Sequence, residues 1–127
     1  MTMSVFVSHV YEDRYWIAQL RDWQSRSELG PGLTFTTETD DVRRDGESAI
    51  KSHIRPYIEG AGVVLVLVGE DSHNRPWVDY EVAVAQALHK KVVLARIPNT
   101  RGAAPPEVAS KPIVAWEPRA LREALTR

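Results

Sequence analysis

An apolar run of six residues, Val63 to Val68, limits the folds that this chain can adopt more than any other feature of the sequence. The run contains no polar side chain. Four of the six are valines, and β-branched side chains favour a strand. Because alternate residues of a strand point to opposite faces, an unbroken apolar run predicts a strand that is covered on both faces. Strands of this kind are typical of a parallel sheet between layers of helices. Val5 to Val7 and Val92 to Ala95 have the same character.

Two weaker runs, Leu33 to Thr37 and Ile113 to Trp116, complete five predicted strands. Helical spacing of apolar residues occurs between the strands and after the last one. Four predicted helices show this spacing. The residues are Trp16, Ile17, Leu20 and Trp23 in the first, Ile50, Ile54, Tyr57 and Ile58 in the second, and Val78, Val82, Ala85 and Leu88 in the third; the fourth is the segment Pro118 to Leu125. Strands that alternate with helices imply right-handed crossovers. We therefore predict an α/β fold, a three-layer, doubly wound, parallel five-stranded sheet of flavodoxin-like order 2-1-3-4-5.

The third helix has the clearest boundary signals. Asn74 is a candidate N-cap, and Pro76 falls in the first turn, where a missing N–H costs little. Farther along, the segment Asn99 to Pro112 contains Gly102 and three prolines. That composition predicts an irregular loop with at most a short helix around Val108.

Composition narrows the functional classes. The 127 residues are expected to form one domain, residues 1–127. The chain has no cysteine, which excludes disulfides, thiol nucleophiles and cysteine metal sites. A net charge of −1 gives no general attraction to nucleic acid or to anionic lipid. The N-terminus has no signal-peptide pattern and the longest apolar run is too short to cross a bilayer, so we expect a cytoplasmic protein without a membrane partner.

In a sheet of the predicted order, the ligand crevice lies at the carboxyl ends of the first and third strands, where the winding reverses. The segments Ser8 to Tyr11 and Gly69 to Ser72 follow those strands. The third helix begins just after the second segment, which places Glu81 within about two turns of the crevice. Trp77 lies four residues before Glu81 and shares its helix face. An aromatic plane and a carboxylate are therefore expected side by side.

Several common kinds of ligand site are excluded because the sequence lacks the motifs that form them. No glycine-rich run of the P-loop kind is present, and no glycine occurs between Val7 and Leu29, where a dinucleotide fingerprint requires glycines. Bulky residues occupy the position of a flavin phosphate loop, and Val68-Gly69 replaces the aspartate of a phospho-acceptor domain. The sequence has neither a zinc-binding spacing nor a Gly-x-Ser-x-Gly elbow. No metal and no bound cofactor are expected.

The residues around the crevice resemble a known family. Val5 to Ser8 followed by Tyr11-Glu12-Asp13 resembles the first box of TIR domains. The Trp-x-x-x-Glu spacing of Trp77 and Glu81 resembles the segment that carries the catalytic glutamate of TIR enzymes that consume NAD. The longer string from Val66 to Val82 is most similar to the TIR-like proteins of bacterial Thoeris anti-phage defence. The resemblance extends over residues 4–98.

This resemblance implies cleavage of the nicotinamide glycosidic bond of NAD, with NAD as substrate and Glu81 as the catalytic residue. Nicotinamide departs from NAD⁺ as a neutral molecule, so no general acid is needed. One carboxylate suffices, because it stabilises the oxocarbenium-like charge on the ribose. Attack by water yields ADP-ribose, and attack by a hydroxyl elsewhere in the same molecule yields a cyclic ADP-ribose isomer. The implied role is a cyclic ADP-ribose signal for a separate effector protein, and a homo-oligomer or filament is the implied assembly.

Six further residues are candidate substrate contacts: Phe6, Ser8, His9, Tyr11, Trp77 and Tyr80. Each also has an ordinary structural interpretation. Phe6 is expected in the core, Trp77 is favoured as a core residue over a stacking platform, and Ser8 suits a cap or turn. The loop Glu38 to Gly46 corresponds in position to the loop that TIR domains use for assembly and for covering the site. Its neighbouring carboxylates, Asp40 and Asp41, are interpreted as solvated.

Two other functions fit the sequence. A non-catalytic TIR-like module that acts by self-association would not depend on Glu81, whereas changes in the Glu38 to Gly46 loop would abolish its activity. A nucleoside deoxyribosyltransferase-like enzyme would use Glu81 as a covalent nucleophile and form a trappable glycosyl adduct.

Overall fold

The computed structural model describes residues 3–10, 13–37, 54–72 and 75–127. Its strands form one five-stranded sheet in the order β2-β1-β3-β4-β5, and every neighbouring pair is parallel. The strands are β1 (Met3–Ser8), β2 (Leu33–Thr36), β3 (Val63–Val68), β4 (Lys91–Arg96) and β5 (Ile113–Val114). The predicted strand order is confirmed.

Helices cover both faces of the sheet. They are α1 (Tyr15–Ser25), α2 (residues 54–59), α3 (Pro76–Ala87) and α4 (Pro118–Thr126). A single 3₁₀ turn, Pro106–Val108, interrupts the loop before β5, as the sequence predicts. The helix α3 begins with Arg75 at the N-cap and Pro76 in the first turn. Asn74, the cap predicted from sequence, lies outside the described residues.

Side-chain alternation along β1 divides the core into two layers. Val5 and Val7 pack with residues of α1 and α4 on one face of the sheet. Phe6 packs on the other face with residues of α2 and α3. Ser8 follows Phe6 by two residues, so its side chain also points toward α3. The pleat of β1 therefore places the Ser8 hydroxyl on the α3 side of the sheet, at the carboxyl end of the strand.

Two predictions from apolar patterning are wrong in detail. Helical spacing predicts Tyr57 on the buried face of α2, but it is 41% exposed. A tyrosine can pack part of its ring while the rest stays at the surface. The fifth strand ends at Val114 and does not reach Trp116. Trp116 instead packs against Trp16 and Trp23, at centroid distances of 5.6 and 5.5 Å, and these ring contacts take the chain out of the sheet.

The residue after the C-cap of α3 has a strained backbone conformation that a glycine would relieve. His89 has φ 55°, the left-handed region that disfavours residues with a Cβ. It occupies the position after the C-cap Leu88, where the N–H of Lys90 donates to the Ala85 carbonyl at 2.9 Å, the arrangement in which glycine is preferred. His89→Gly is expected to raise the free energy of unfolding by about 0.5–1 kcal/mol, measured by urea denaturation. A loss of stability would contradict this account of the helix end.

Candidate functional site

The site lies where the direction of winding reverses. The chain passes from β1 outward to β2 and then returns to β3 on the other side of β1, so the crevice forms at the carboxyl ends of β1 and β3. Ser8, the last residue of β1, is in register with Val66 of β3. Both Ser8 and the following residue, His9, are buried. The end of β1 thus places two polar side chains inside the protein.

Glu81 reaches this point from α3. It lies three residues after Val78 and four before Ala85, so it occupies the apolar stripe that faces the sheet. Its side chain is 0% exposed, and its Oε1 accepts a hydrogen bond of 2.7 Å from the Ser8 hydroxyl. The two residues are 73 positions apart in the sequence. The fold therefore joins the end of β1 to a carboxylate within the core.

Burying a carboxylate is energetically unfavourable at a position that serves only for packing. Removing a carboxylate from water costs several kcal/mol unless hydrogen bonds and nearby charges replace its hydration. An apolar side chain would fill the same stripe without that cost, as Val78 and Val82 do on either side of Glu81. Glu81 is thus a polar residue at a position that an apolar side chain would fill at lower cost.

His9 is held in a defined orientation. Its Nδ1 lies 3.2 Å from the Thr37 hydroxyl, and the same hydroxyl donates to the Val7 carbonyl at 3.1 Å. Thr37 therefore orients the ring of a buried histidine next to Ser8.

Trp77 ties the first turn of α3 to the end of β1. Its indole Nε1–H donates to the His9 carbonyl at 3.2 Å, and the half-buried ring packs against the α3 side of the core. The guanidinium of Arg75 lies over this ring, with its Cζ 5.8 Å from the centroid. These contacts favour the packing interpretation of Trp77, which the sequence also favoured.

The chain after β3 forms a tightly packed turn at the rim of the site. The Gly69 N–H donates to the Ser72 hydroxyl, which donates in turn to the Leu67 carbonyl, each at 2.9 Å. The carboxylate of Asp13 lies against Gly69, where an added Cβ would be 2.5 Å from Oδ2. Gly102 packs against the carbonyl oxygens of Gly69 and Glu70. Close backbone packing from two sides fixes the end of β3.

The structure brings together some of the candidate residues. One cluster, connected by hydrogen bonds and by the chain itself, contains Ser8, His9, Trp77 and Glu81. Phe6 is fully buried in the core on the same side, and Tyr80 is half-buried beside it. Tyr11 and the Glu38 to Gly46 loop lie outside the described residues. Substrate contact by these residues stays a prediction.

Sequence reasoning missed three neighbours of this cluster: Thr37, Asp13 and Arg75. Thr37 has no local signal, because its partners lie at the end of β1 and directly after it. Arg75 belongs to the string that resembles the TIR-like family, but its contact with the Trp77 ring depends on the fold. Asp13 belonged to the first TIR box, but its contact with Gly69 depends on the fold. The burial of Glu81 did have a signal in the sequence, since its position matches the apolar spacing of Val78, Val82 and Ala85.

Other features of the described chain lie apart from Glu81. One surface pocket is lined by Glu28, Pro118, Arg119, Arg122 and Glu123, and another borders β4, β5 and the end of α4. Across residues 3–10, 13–37, 54–72 and 75–127, no group of three or more His, Asp or Glu side chains is arranged to hold a metal ion. Within the same ranges, every helix is too short or too polar to span a membrane.

Comparison with known proteins supports the fold and then the family. A crystal structure of the TIR domain of the Toll-related receptor TRR-2 from Hydra magnipapillata superposes with a TM-score of 0.61 at 15% sequence identity. That match covers 91% of this chain and 85% of the receptor domain, and at this identity it establishes the fold. No curated protein matches the sequence. The family model of the Thoeris protein ThsB, TIR-like domain, matches residues 6–102, most of the chain. The chain therefore belongs to the family of Thoeris ThsB TIR-like domains.

Proposed function

We propose that this TIR-like domain cleaves the nicotinamide glycosidic bond of NAD and that Glu81 is its catalytic carboxylate. The observation that carries the proposal is the complete burial of Glu81, hydrogen-bonded to Ser8, at the carboxyl ends of β1 and β3. A carboxylate in a site of low polarity acts on a nearby positive charge far more strongly than one in water. Family membership supports the same reaction, because TIR-like proteins include enzymes that consume NAD.

The chemistry requires little from the protein. As the bond between C1′ of the ribose and the nicotinamide nitrogen breaks, its electron pair moves to the ring and neutralises the pyridinium. Positive charge develops on C1′ and the ribose ring oxygen, where a fixed carboxylate stabilises it. Ser8 limits the rotation of Glu81, so the carboxylate needs no reorganisation as the charge forms.

The next nucleophile decides the product. Attack on C1′ by water gives ADP-ribose, whereas attack by a group within the ADP-ribosyl unit gives a cyclic ADP-ribose, which is lighter than ADP-ribose by one water. We propose the cyclic route, with the product acting on a separate effector protein in anti-phage defence. Incubation with NAD followed by mass spectrometry tests this step. A product of cyclic mass supports it, and ADP-ribose as the sole product overturns the cyclic route while leaving the cleavage proposal intact.

The burial of Glu81 adds a condition. A side chain with no exposed surface meets the ribose only after neighbouring groups move. We therefore propose that the active form is an opened or assembled state, reached through self-association or a cellular trigger. This condition predicts low activity from an isolated monomer and higher activity in lysate of infected cells.

The hydrogen bond between Ser8 and Glu81 also fits a second function, a non-catalytic interaction module. In such a module the bond between Ser8 and Glu81 would serve only to join α3 to β1. The two functions differ in a cell-based defence assay. Glu81→Gln abolishes protection if the domain is an enzyme and leaves protection unchanged if it acts only by association.

Ser8→Ala tests the positioning of the carboxylate. The substitution removes the donor to Glu81 Oε1 and leaves a buried acceptor unsatisfied. We expect nicotinamide release to fall about 10- to 100-fold, and the free energy of unfolding to fall by about 1–3 kcal/mol. Steady-state kinetics and urea denaturation provide the two measurements. Ser25→Ala is the control, since that exposed hydroxyl donates to the Asp22 carbonyl of its own helix. Equal activity of the two variants would show that Ser8 does not position the carboxylate.

A further inference from the structure

We propose that Arg75 binds the diphosphate of the substrate and makes this domain select phosphate-linked dinucleotides over nucleosides. The inference rests on the proposed cleavage of NAD and adds a specificity-determining residue to it. Two contacts of the Arg75 side chain support it, an ion pair with Asp71 and a ring contact with Trp77. The place of Arg75 in the chain, between β3 and α3, also supports it.

Arg75 lies on the carboxyl side of the sheet. Its N–H donates to the Ser72 carbonyl at 3.4 Å, and Ser72 is fixed to the end of β3. Trp77, beneath the guanidinium, donates to the carbonyl of His9, which directly follows Ser8. A continuous line of contacts therefore runs from Arg75 to the residue that holds Glu81.

The separation between Arg75 and Glu81 suits the substrate. They are six positions apart along α3 and its cap, which corresponds to about 9 Å along the helix axis. A ribose whose C1′ faces Glu81 carries its 5′ phosphate on the opposite end of the sugar. With the sugar aligned along α3, the phosphate points toward the start of the helix and toward Arg75.

The ion pair between Arg75 and Asp71 is weak enough for a more highly charged ligand to replace it. The Asp71 carboxylate lies 3.1 Å from Nη2, and the two side chains are 48% and 31% exposed. Ion pairs with this exposure contribute little to stability. A diphosphate carries more charge and more acceptor oxygens than one carboxylate, and arginine binds phosphate in a bidentate geometry. The ring of Trp77 holds the guanidinium in place during that exchange.

The test compares two substrates that differ in phosphate. Nicotinamide release is measured from NAD and from nicotinamide riboside, which has the same scissile bond and no phosphate. For Arg75→Gln we expect kcat/KM for NAD to fall about 10- to 100-fold, and kcat/KM for nicotinamide riboside to change less than about twofold. An equal loss on both substrates would overturn the inference, since it would show that Arg75 maintains the structure of the site.

Arg26→Gln is a matched control. Arg26 also follows its aspartate partner by four residues and pairs with Asp22 at 3.4 Å, but it lies at the end of α1, where the chain leads to β2. Its substitution is expected to leave both substrates unaffected. Asp71→Asn supplies the reverse test, because removal of the competing carboxylate is expected to raise kcat/KM for NAD severalfold. A loss like that of Arg75→Gln would identify a structural ion pair and overturn the inference.

A binding measurement separates this inference from the cleavage proposal. Calorimetry of NAD with Glu81→Gln, and with Arg75→Gln added to it, does not depend on turnover. Binding about tenfold or more weaker in the double variant supports the role of Arg75, even if no form of the protein releases nicotinamide. Equal affinity of the two proteins, or no binding by either, overturns it.

Discussion

Glu81→Gln is expected to lower nicotinamide release from NAD by at least about 1,000-fold, because it removes the only charge that the proposed mechanism places beside the oxocarbenium-like ribose. The glutamine has nearly the same shape, and its amide oxygen can still accept the bond that the Ser8 hydroxyl now gives to Oε1. The substitution therefore changes charge while it preserves packing and the link between α3 and β1. Activity is measured as nicotinamide released per enzyme under conditions in which the wild type is active.

The stability of the same variant is expected to change in the opposite direction. A charge buried at 0% exposure is costly, so its removal should leave the free energy of unfolding equal or higher. Glu123→Gln, an exposed helical glutamate paired with Arg119, serves as the control and is expected to retain full activity. If Glu81→Gln instead lost more than about 1 kcal/mol of stability together with activity, the carboxylate would have a structural role.

Gly102→Ala is expected to be the most destabilising single-methyl substitution among the glycines described above. A Cβ at Gly102 would overlap the carbonyl oxygens of Gly69 and Glu70. These are backbone atoms, so no side-chain rotation can relieve the contact, and either the loop or the end of β3 must move. We expect the free energy of unfolding to fall by about 3 kcal/mol or more, measured by urea denaturation. NAD cleavage should fall as well, since Gly69 lies at the rim of the site.

Gly60→Ala is the matched control for that substitution. A Cβ at Gly60 would lie 3.5 Å from the Pro56 carbonyl oxygen, an ordinary van der Waals distance. Its stability is expected to stay within about 1 kcal/mol of the wild type. Similar stabilities for Gly102→Ala and Gly60→Ala would show that the loop around Gly102 relaxes easily and does not fix the end of β3.

The sheet could be predicted from sequence because its signal is local. Val63 to Val68 has the composition of a strand buried on both faces, and short helical patterns separate it from similar runs. Right-handed crossovers then leave few arrangements, of which the observed order is one. The same logic located the crevice, because the carboxyl ends of β1 and β3 must meet at one edge. Local pattern and chain handedness were enough for this level of structure.

The interior of the site could not be predicted in the same way. The bond between Ser8 and Glu81 joins residues 73 positions apart, and no local pattern specifies such a partner. A helical glutamate is usually exposed, and only the spacing with Val78 and Ala85 indicated otherwise. The contacts of Gly102 and of Arg75 depend equally on packing between distant segments. Side-chain partners of this kind follow from the assembled fold rather than from sequence periodicity.

The catalytic role of Glu81 is tested by nicotinamide release from NAD, measured side by side for the folded wild-type protein and for Glu81→Gln, both as purified proteins and in lysate of infected cells. We expect release by the wild type in at least the lysate and essentially none by the variant. No release by folded wild-type protein in either setting, or equal release by both proteins, would contradict the claim that Glu81 is the catalytic carboxylate of an NAD-cleaving enzyme.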